Sequence, residues 1–354
     1  MANMKSGTAL ILSGSSYERG VLQAHLCPEM IEPVRENVLG QLSKNKELFQ
    51  SDEANRYIEE QIKITGKLFP EVFAEVKGIA EGFDLGVGEL FRFYHLRIRQ
   101  DMDGCTSWAV ALAAKGAVLG KNRDLAAGNH SLQRVFVHHD PDWHGKKILS
   151  LGSLGAPCAY SSGINSEGFC LADTSILTSD HGPGACRYFL MPFLLTTCHS
   201  VDQALGKISG LPHAGGGALV LADRRSQIAV VELGHHHVSA KKSTSWLAKT
   251  NHFTSAELGP SNLKSRPPSR IKNSENRLNF SRRELSASFQ NFDVDTAIEM
   301  MKRHDREGGI CRHHNKEDPT ATISGAVYTC GNQTLYFSDG NPCDSPWYEF
   351  SLSS

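Results

Sequence analysis

The sequence predicts an α+β fold built on mostly antiparallel sheet. Three observations carry this expectation. Apolar residues recur at helical spacing through most of residues 1–104. From Cys105 onward the period shortens to that of strands joined by brief polar turns. The helices also come in groups instead of alternating one by one with strands.

The elements follow in order. Residues 17–39 and 47–68 carry the three-and-four apolar spacing, with Pro28 and Pro33 interrupting the first. Pro70 opens a helix over 71–82, since proline suits a first turn, and Gly86-Val87-Gly88 precedes another over 87–99. No linker rich in Pro, Gly and Ser separates this part from Cys105, so 1–104 reads as a helical segment packed on a core of 105–354, one domain overall. Strands at 106–112 and 117–121 flank a turn at Lys115-Gly116. If that turn is tight, Cys105 stands opposite Ala126, and Asp124 lies two residues along, roughly 7 Å. Hairpins are expected at 159–162 with 169–174 and at 218–221 with 228–233, and a buried helix at 186–208 between them. A strand at 246–249 ends on Thr250-Asn251-His252. Residues 261–272, with Pro267-Pro268 and many charges, read as an exposed loop. Helices at 274–289 and 293–304 follow, Asp293 in N-cap position, and a hairpin at 322–330 with 334–337 closes the chain.

Composition bounds the function. With 354 residues, 40% hydrophobic and 21% charged, the chain is an ordinary globular protein. A net charge of −1 argues against nucleic acid or an anionic membrane as partner. Neither a secretory signal nor an apolar run of about 18 residues is visible, so a cytoplasmic location without membrane is expected. Nine scattered cysteines without a C-x-x-C pair fit a reducing compartment. His235-His236-His237 lies along extended chain, where neighbouring side chains point to opposite faces, and no ligand spacing supports zinc. No metal is therefore expected.

One stretch points to chemistry. Asp103-Gly104-Cys105-Thr106-Ser107 puts a glycine and then a cysteine directly before a strand. A strand that begins on a nucleophile fits a chain that cuts itself there, the freed α-amine then serving as base. An amine of pKa about 8 and a thiol of about 8.5 can exchange a proton near neutrality. Gly104 leaves the preceding carbonyl open to attack. The plainer reading is that Cys105 is one more buried core cysteine. A third is a cysteine hydrolase without self-cleavage, using a histidine base such as His252.

A run of short motifs favours the first. In order these are Tyr17-Glu18-Arg19-Gly20, residues 75–82, Gly104-Cys105-Thr106-Ser107, Gly120-Lys121-Asn122-Arg123-Asp124, residues 163–168, Thr250-Asn251-His252, Ile310-Cys311-Arg312-His313 and Gly340-Asn341-Pro342-Cys343. Together they resemble the isopenicillin-N acyltransferase-like family of N-terminal-nucleophile cysteine hydrolases, relatives of the choloylglycine hydrolases. The resemblance implies a four-layer αββα sandwich with Cys105 opening a central strand. It implies amide hydrolysis or acyl transfer on a small N-acylated molecule, and processing at Gly104-Cys105. It implies Cys105 as nucleophile, Asp124 to orient the amine, Asn251 as oxyanion donor and Arg277 near the nucleophile. Asn122, Asn165 and Thr106 are the candidates for substrate or oxyanion contacts, though an Asx turn accounts equally for Asn122 and a turn role is the main reading of Asn165. No cofactor is expected. The seven basic residues from Lys264 to Arg283 form either a solvated face or an attraction for an acyl-coenzyme A co-substrate. A non-catalytic binding protein on the same fold, a homo-oligomer, and the choice of water or amine as acceptor stay open.

Overall fold

The computed structural model describes residues 7–99, 104–112, 116–304, 308–314 and 320–352. The chain opens with a strand that periodicity did not foretell, β1 (Leu10–Ser13), burying Leu10 and Leu12. Ser15 then starts α1 (Ser16–Leu26) with a capping box to Glu18. Pro28 ends that helix, so the single predicted helix at 17–39 is two, the second being α2 (Ile31–Lys44). Pro33 sits in the first turn of α2, where a missing N–H costs nothing. Next come α3 (Asp52–Leu68), capped by Ser51, α4 (Pro70–Gly82) and α5 (Val87–Arg99). Helices α1 and α4 cross at two glycines: a Cβ on Gly20 would lie 2.3 Å from the Glu75 carbonyl oxygen, and one on Gly78 2.0 Å from that of Tyr17. The first two sequence motifs are thus the two sides of one helix crossing.

Strands β2 (Gly104–Val110) and β3 (Val118–Ala126) form the expected hairpin, but its loop is longer than a tight turn. Lys115 of the predicted turn lies outside the described residues. The hairpin is also centred before Lys115-Gly116, so Gly104 stands opposite Asp124 and Cys105 opposite Arg123, not Ala126. Then follow β4 (Gln133–His139), β5 (Lys147–Ser153), β6 (Ser162–Asn165) and β7 (Cys170–Ser175). The predicted first strand of that last hairpin, 159–162, falls a few residues early. The predicted helix at 186–208 is α6 (Arg187–Thr197) and α7 (Val201–Ser209), divided where Ser200 caps the second. After β8 (Gly217–Ala222), β9 (Ile228–Leu233), β10 (Val238–Ser243) and β11 (Trp246–Lys249) comes α8 (Pro268–Ser288). It begins at Pro268 and not at 274, because the two prolines that read as a loop are its cap and first residue. The chain ends with α9 (Val294–Lys302), capped by Asp293, then β12 (Thr320–Thr329), β13 (Thr334–Asp339) and β14 (Trp347–Ser351).

The strands make two sheets, ordered β1-β4-β5-β6-β7-β8-β9-β10 and β11-β2-β3-β12-β13-β14. All neighbours are antiparallel except β1 with β4. One core fills the space between the sheets, with Ala109 and Leu119 against Leu149, Ala172 and Val220. A second packs α1–α7 on the larger sheet through residues such as Ile79, Phe91 and Leu190. A third packs α8 and α9 on Trp108, Val110 and Val327 of the smaller sheet. The fold is therefore α+β, a four-layer αββα sandwich. Strand alternation then fixes two faces of β2: Cys105, Ser107 and Ala109 point between the sheets, and Thr106, Trp108 and Val110 point to α8 and α9. No helix among the described residues is long and apolar enough to cross a membrane.

Candidate active site

The candidate site forms at the first residues of β2. Strand β11 pairs with β2 as far as Lys249 opposite Ser107, so the chain leaving β11 carries Asn251 alongside Cys105. The Cys105 backbone N–H donates to Asn251 Oδ1 at 2.9 Å, and Asn251 Nδ2 donates to the Ser175 carbonyl at 2.8 Å. These partners fix the amide's orientation, because a flip would set donor against donor and acceptor against acceptor. Helix α8 brings Arg277 from the helical face. Its Nη1 donates to the Cys105 carbonyl at 2.6 Å and to Thr106 Oγ1 at 2.8 Å, and its Nη2 to Asn251 Oδ1 at 2.9 Å. Asn273 Oδ1 accepts from Arg277 Nε at 2.8 Å, and Arg266 Nη1 reaches the Asn251 carbonyl at 2.6 Å. Cys105, Thr106, Asn251 and Arg277 are all buried and form one network. Burial lowers the Arg277 guanidinium to about 10.

Asp124 is also buried, but on the helical face of β3, on the other side of the hairpin from the Cys105 thiol. Its Oδ1 accepts from Thr322 Oγ1 at 2.7 Å, and Arg312 Nη1 stands 3.6 Å from its Oδ2. Burial pushes the Asp124 carboxyl up, more than Arg312, Arg277 and the Thr322 hydroxyl draw it down. Gly104 makes this meeting fit: a Cβ there would lie 2.2 Å from Arg312 Nη1 and 3.0 Å from Asp124 Oδ2. No local signal in the sequence marks Arg312 for a role. It stands in one of the short motifs, but Asp124, its partner, is far away along the chain.

Three candidates are placed elsewhere. Asn122 faces α9, donating to the carbonyls of Met301 at 3.3 Å and Ile310 at 2.9 Å. Asn165 closes its turn by accepting from the amides of Glu167 and Phe169, and ties off α6 by donating to Leu195 and Cys198, both at 2.8 Å. It lies at the end of β6 remote from Cys105 and lines no part of the site. His252 Nδ1 is engaged with Ser274 Oγ at 2.8 Å, and burial, with Lys249, Arg277 and Arg266 near, lowers it to about 4. In the basic run, Arg266 and Arg277 turn inward and Arg270 reaches Thr320 Oγ1, leaving Lys264, Lys272, Arg282 and Arg283 exposed. A cavity of about 570 Å³ opens at the other end of the smaller sheet, among Leu112, Val118, Phe292 and Tyr336, and has no contact with Cys105.

The family model described as acyl-coenzyme A:6-aminopenicillanic acid acyl-transferase matches residues 112–344, about two thirds of the chain. The chain belongs to this family. The match includes Asp124, Asn251, Arg277 and Arg312 and begins just after Cys105. No curated protein sequence matches the chain. Among solved structures it is similar to a mutant of the conjugated bile acid hydrolase of Clostridium perfringens, with 10% identity and a TM-score of 0.46 over 70% of this chain and 97% of that one. A second variant of that hydrolase gives 11% identity and a TM-score of 0.45, with the same coverage. The penicillin V acylase of Agrobacterium tumefaciens gives 10% identity and a TM-score of 0.41, over 73% of this chain and 81% of that one. The family so matched is one of acyl-transferases.

Proposed function

We propose that the chain cuts itself between Gly104 and Cys105, and that Cys105, now N-terminal, carries the acyl group of a small N-acylated substrate as a thioester. The observation behind this reading is the grip on the Cys105 backbone: Asn251 Oδ1 holds its nitrogen at 2.9 Å while Arg277 holds its carbonyl at 2.6 Å. Any buried backbone N–H and C=O need partners, but here both come from polar side chains on other elements, which can keep holding Cys105 once the residue before it is cut away. In the cut, the thiol adds to the Gly104 carbonyl and the Gly–Cys C–N bond breaks, its nitrogen taking the thiol proton. Water then hydrolyses the thioester, giving a Gly104 carboxylate and a Cys105 with thiol and free amine. The pieces, 1–104 and 105–354, stay together because β1 pairs with β4 and α1–α5 share a core with the larger sheet.

In turnover the amine accepts the thiol proton and the thiolate adds to the substrate carbonyl. Asn251 Nδ2 gives one hydrogen to Ser175, and its other is the donor for the oxyanion that develops. The leaving amine departs with the proton held on the Cys105 nitrogen. Water or an acceptor amine then adds to the acyl-Cys105 thioester and releases the thiol. A His252 base is disfavoured, since at about 4 it binds protons too weakly to activate a thiol near neutrality. The test is turnover of N-acyl amides and acyl thioesters, read as released amine or thiol, with peptide mapping after an acid quench. The acyl group should be found on Cys105. Added amine should divert product in a ratio set by amine concentration alone. A ratio that tracks the leaving group would mean no common acyl-enzyme.

A further inference from the structure

Next to this site, four side chains with metal-ligand chemistry meet. After α9 the chain folds back sharply: the amides of Gly309, Ile310 and Cys311 donate to the carbonyls of His304, Arg303 and Arg303 at 2.8, 2.9 and 2.8 Å. Gly308, at φ +79°, permits the turn, and a bridge between His304 and Cys311 closes it. The loop between β13 and β14 lays Cys343 against the same spot. Cys311 Sγ lies 3.5 Å from Cys343 Sγ and 3.9 Å from His313 Nε2, and Cys343 Sγ lies 3.2 Å from that same Nε2. The ligand atoms of His304, His313 and Cys343 all lie within 4.8 Å of one another.

These separations can be compared with a tetrahedral ion. Zinc bonds of about 2.3 Å to sulfur and about 2.05 Å to nitrogen require S···S of about 3.8 Å and S···N of about 3.6 Å. The three distances involving Cys311, Cys343 and His313 each fall within about 0.4 Å of those values. His304, an exposed ring with its ligand atom within 4.8 Å of those of His313 and Cys343, is the fourth donor at hand. Two thiols and two imidazoles are the wrong donors for magnesium or calcium and the right ones for zinc. Asn341 supplies the outer support, with Nδ2 3.8 Å from Cys311 Sγ and 2.8 Å from the Arg312 carbonyl.

We propose that Cys311, His313, Cys343 and His304 bind one structural zinc ion. All four positions are filled by protein, so the ion has no place for water or substrate. What it does is hold Arg312, which sits between two of its ligands and extends to Asp124 and Gly104. The site stands whether or not Cys105 is the nucleophile.

The test is elemental analysis of the full chain, expressed with zinc in the medium and purified with reductant and no chelator. About one zinc per chain is expected, and about a tenth of that or less in Cys343→Ser. Cobalt soaked into chelator-stripped protein should give thiolate-to-cobalt absorption and visible bands of a tetrahedral site. His304→Ala removes only an exposed ring, so it should fold, and it should yield its zinc to chelator at least about tenfold more readily. This variant and the cobalt spectrum keep the test decisive if Cys343→Ser does not fold. The proposal is overturned if the folded wild-type chain takes up neither zinc nor cobalt. It is equally overturned if Cys343→Ser keeps its zinc, or if Cys311 and Cys343 are isolated as a disulfide despite the reductant.

Discussion

Replacing Gly104 by alanine tests whether the two ends of the β2–β3 hairpin are matched as described. The Gly104 φ is not in the left-handed region, so backbone conformation alone does not forbid alanine. The obstacle is spatial: the new methyl would stand 2.2 Å from Arg312 Nη1 and 3.0 Å from Asp124 Oδ2. One of the pair must withdraw, and Arg312 is the one on a long side chain. Removing the partner of a buried charge costs about 3–5 kcal/mol. Here Arg312 is displaced, not deleted, and Asp124 keeps its bond from Thr322, so a loss of roughly 2 kcal/mol is expected. The assay is urea unfolding of uncut chains, all carrying Cys105→Ala so that cleavage state does not vary. If the clash with Arg312 is the cause, adding Arg312→Ala should leave little further cost for Gly104→Ala, a coupling of at least about 1 kcal/mol. Additive effects, or a Gly104→Ala chain as stable as its parent, would refute the reasoning.

Other outcomes follow from the same geometry. Asn251→Ala should lower turnover at least about a hundredfold in correctly cut protein, with cleavage checked by mass. Asn165→Ala should behave in the opposite way, losing roughly 3 kcal/mol of stability through four abandoned hydrogen bonds while the cut enzyme keeps its turnover. Glu75, buried under α1 beside Arg19, His138 and Cys158, is pushed up by burial from 4.5 to about 7. Its raised value means the folded state binds the extra proton, so its contribution is full below about pH 4.5 and is lost as pH rises to about 7. Glu75→Gln keeps an acceptor for the Cys158 amide and should flatten that slope by roughly 3 kcal/mol, and parallel stability curves for variant and wild type would contradict it.

What was legible in the sequence was whatever rests on local pattern. The period change at Cys105, the strand leading into Asn251 and the proline at the head of α4 are read from neighbours a few residues apart. The misreadings came from features that look alike locally. Pro267-Pro268 reads as loop or as helix start, and only packing of α8 on Trp108 and Val110 decides. The register of Cys105 depends on where the hairpin is centred, which the sequence of 111–117 does not fix. Strands β4 and β5 are hard to read because histidines, a lysine and a glycine dilute their apolar alternation, although the sheet buries most of both. The site itself was half visible. Cys105, Asn251 and Arg277 were named from motifs, but the bond from Arg277 to Thr106 and the place of Arg312 depend on elements far apart in the chain. The cysteine and histidine cluster escaped for the same reason. Zinc motifs are sought along one segment, and here Cys343 comes from another loop.

Whether Cys105 becomes an N-terminal nucleophile is read from denaturing mass spectrometry of the purified, active protein. The prediction is two chains parted between Gly104 and Cys105, with the Cys105→Ala chain remaining whole. An active enzyme that runs as one uncut chain would contradict it.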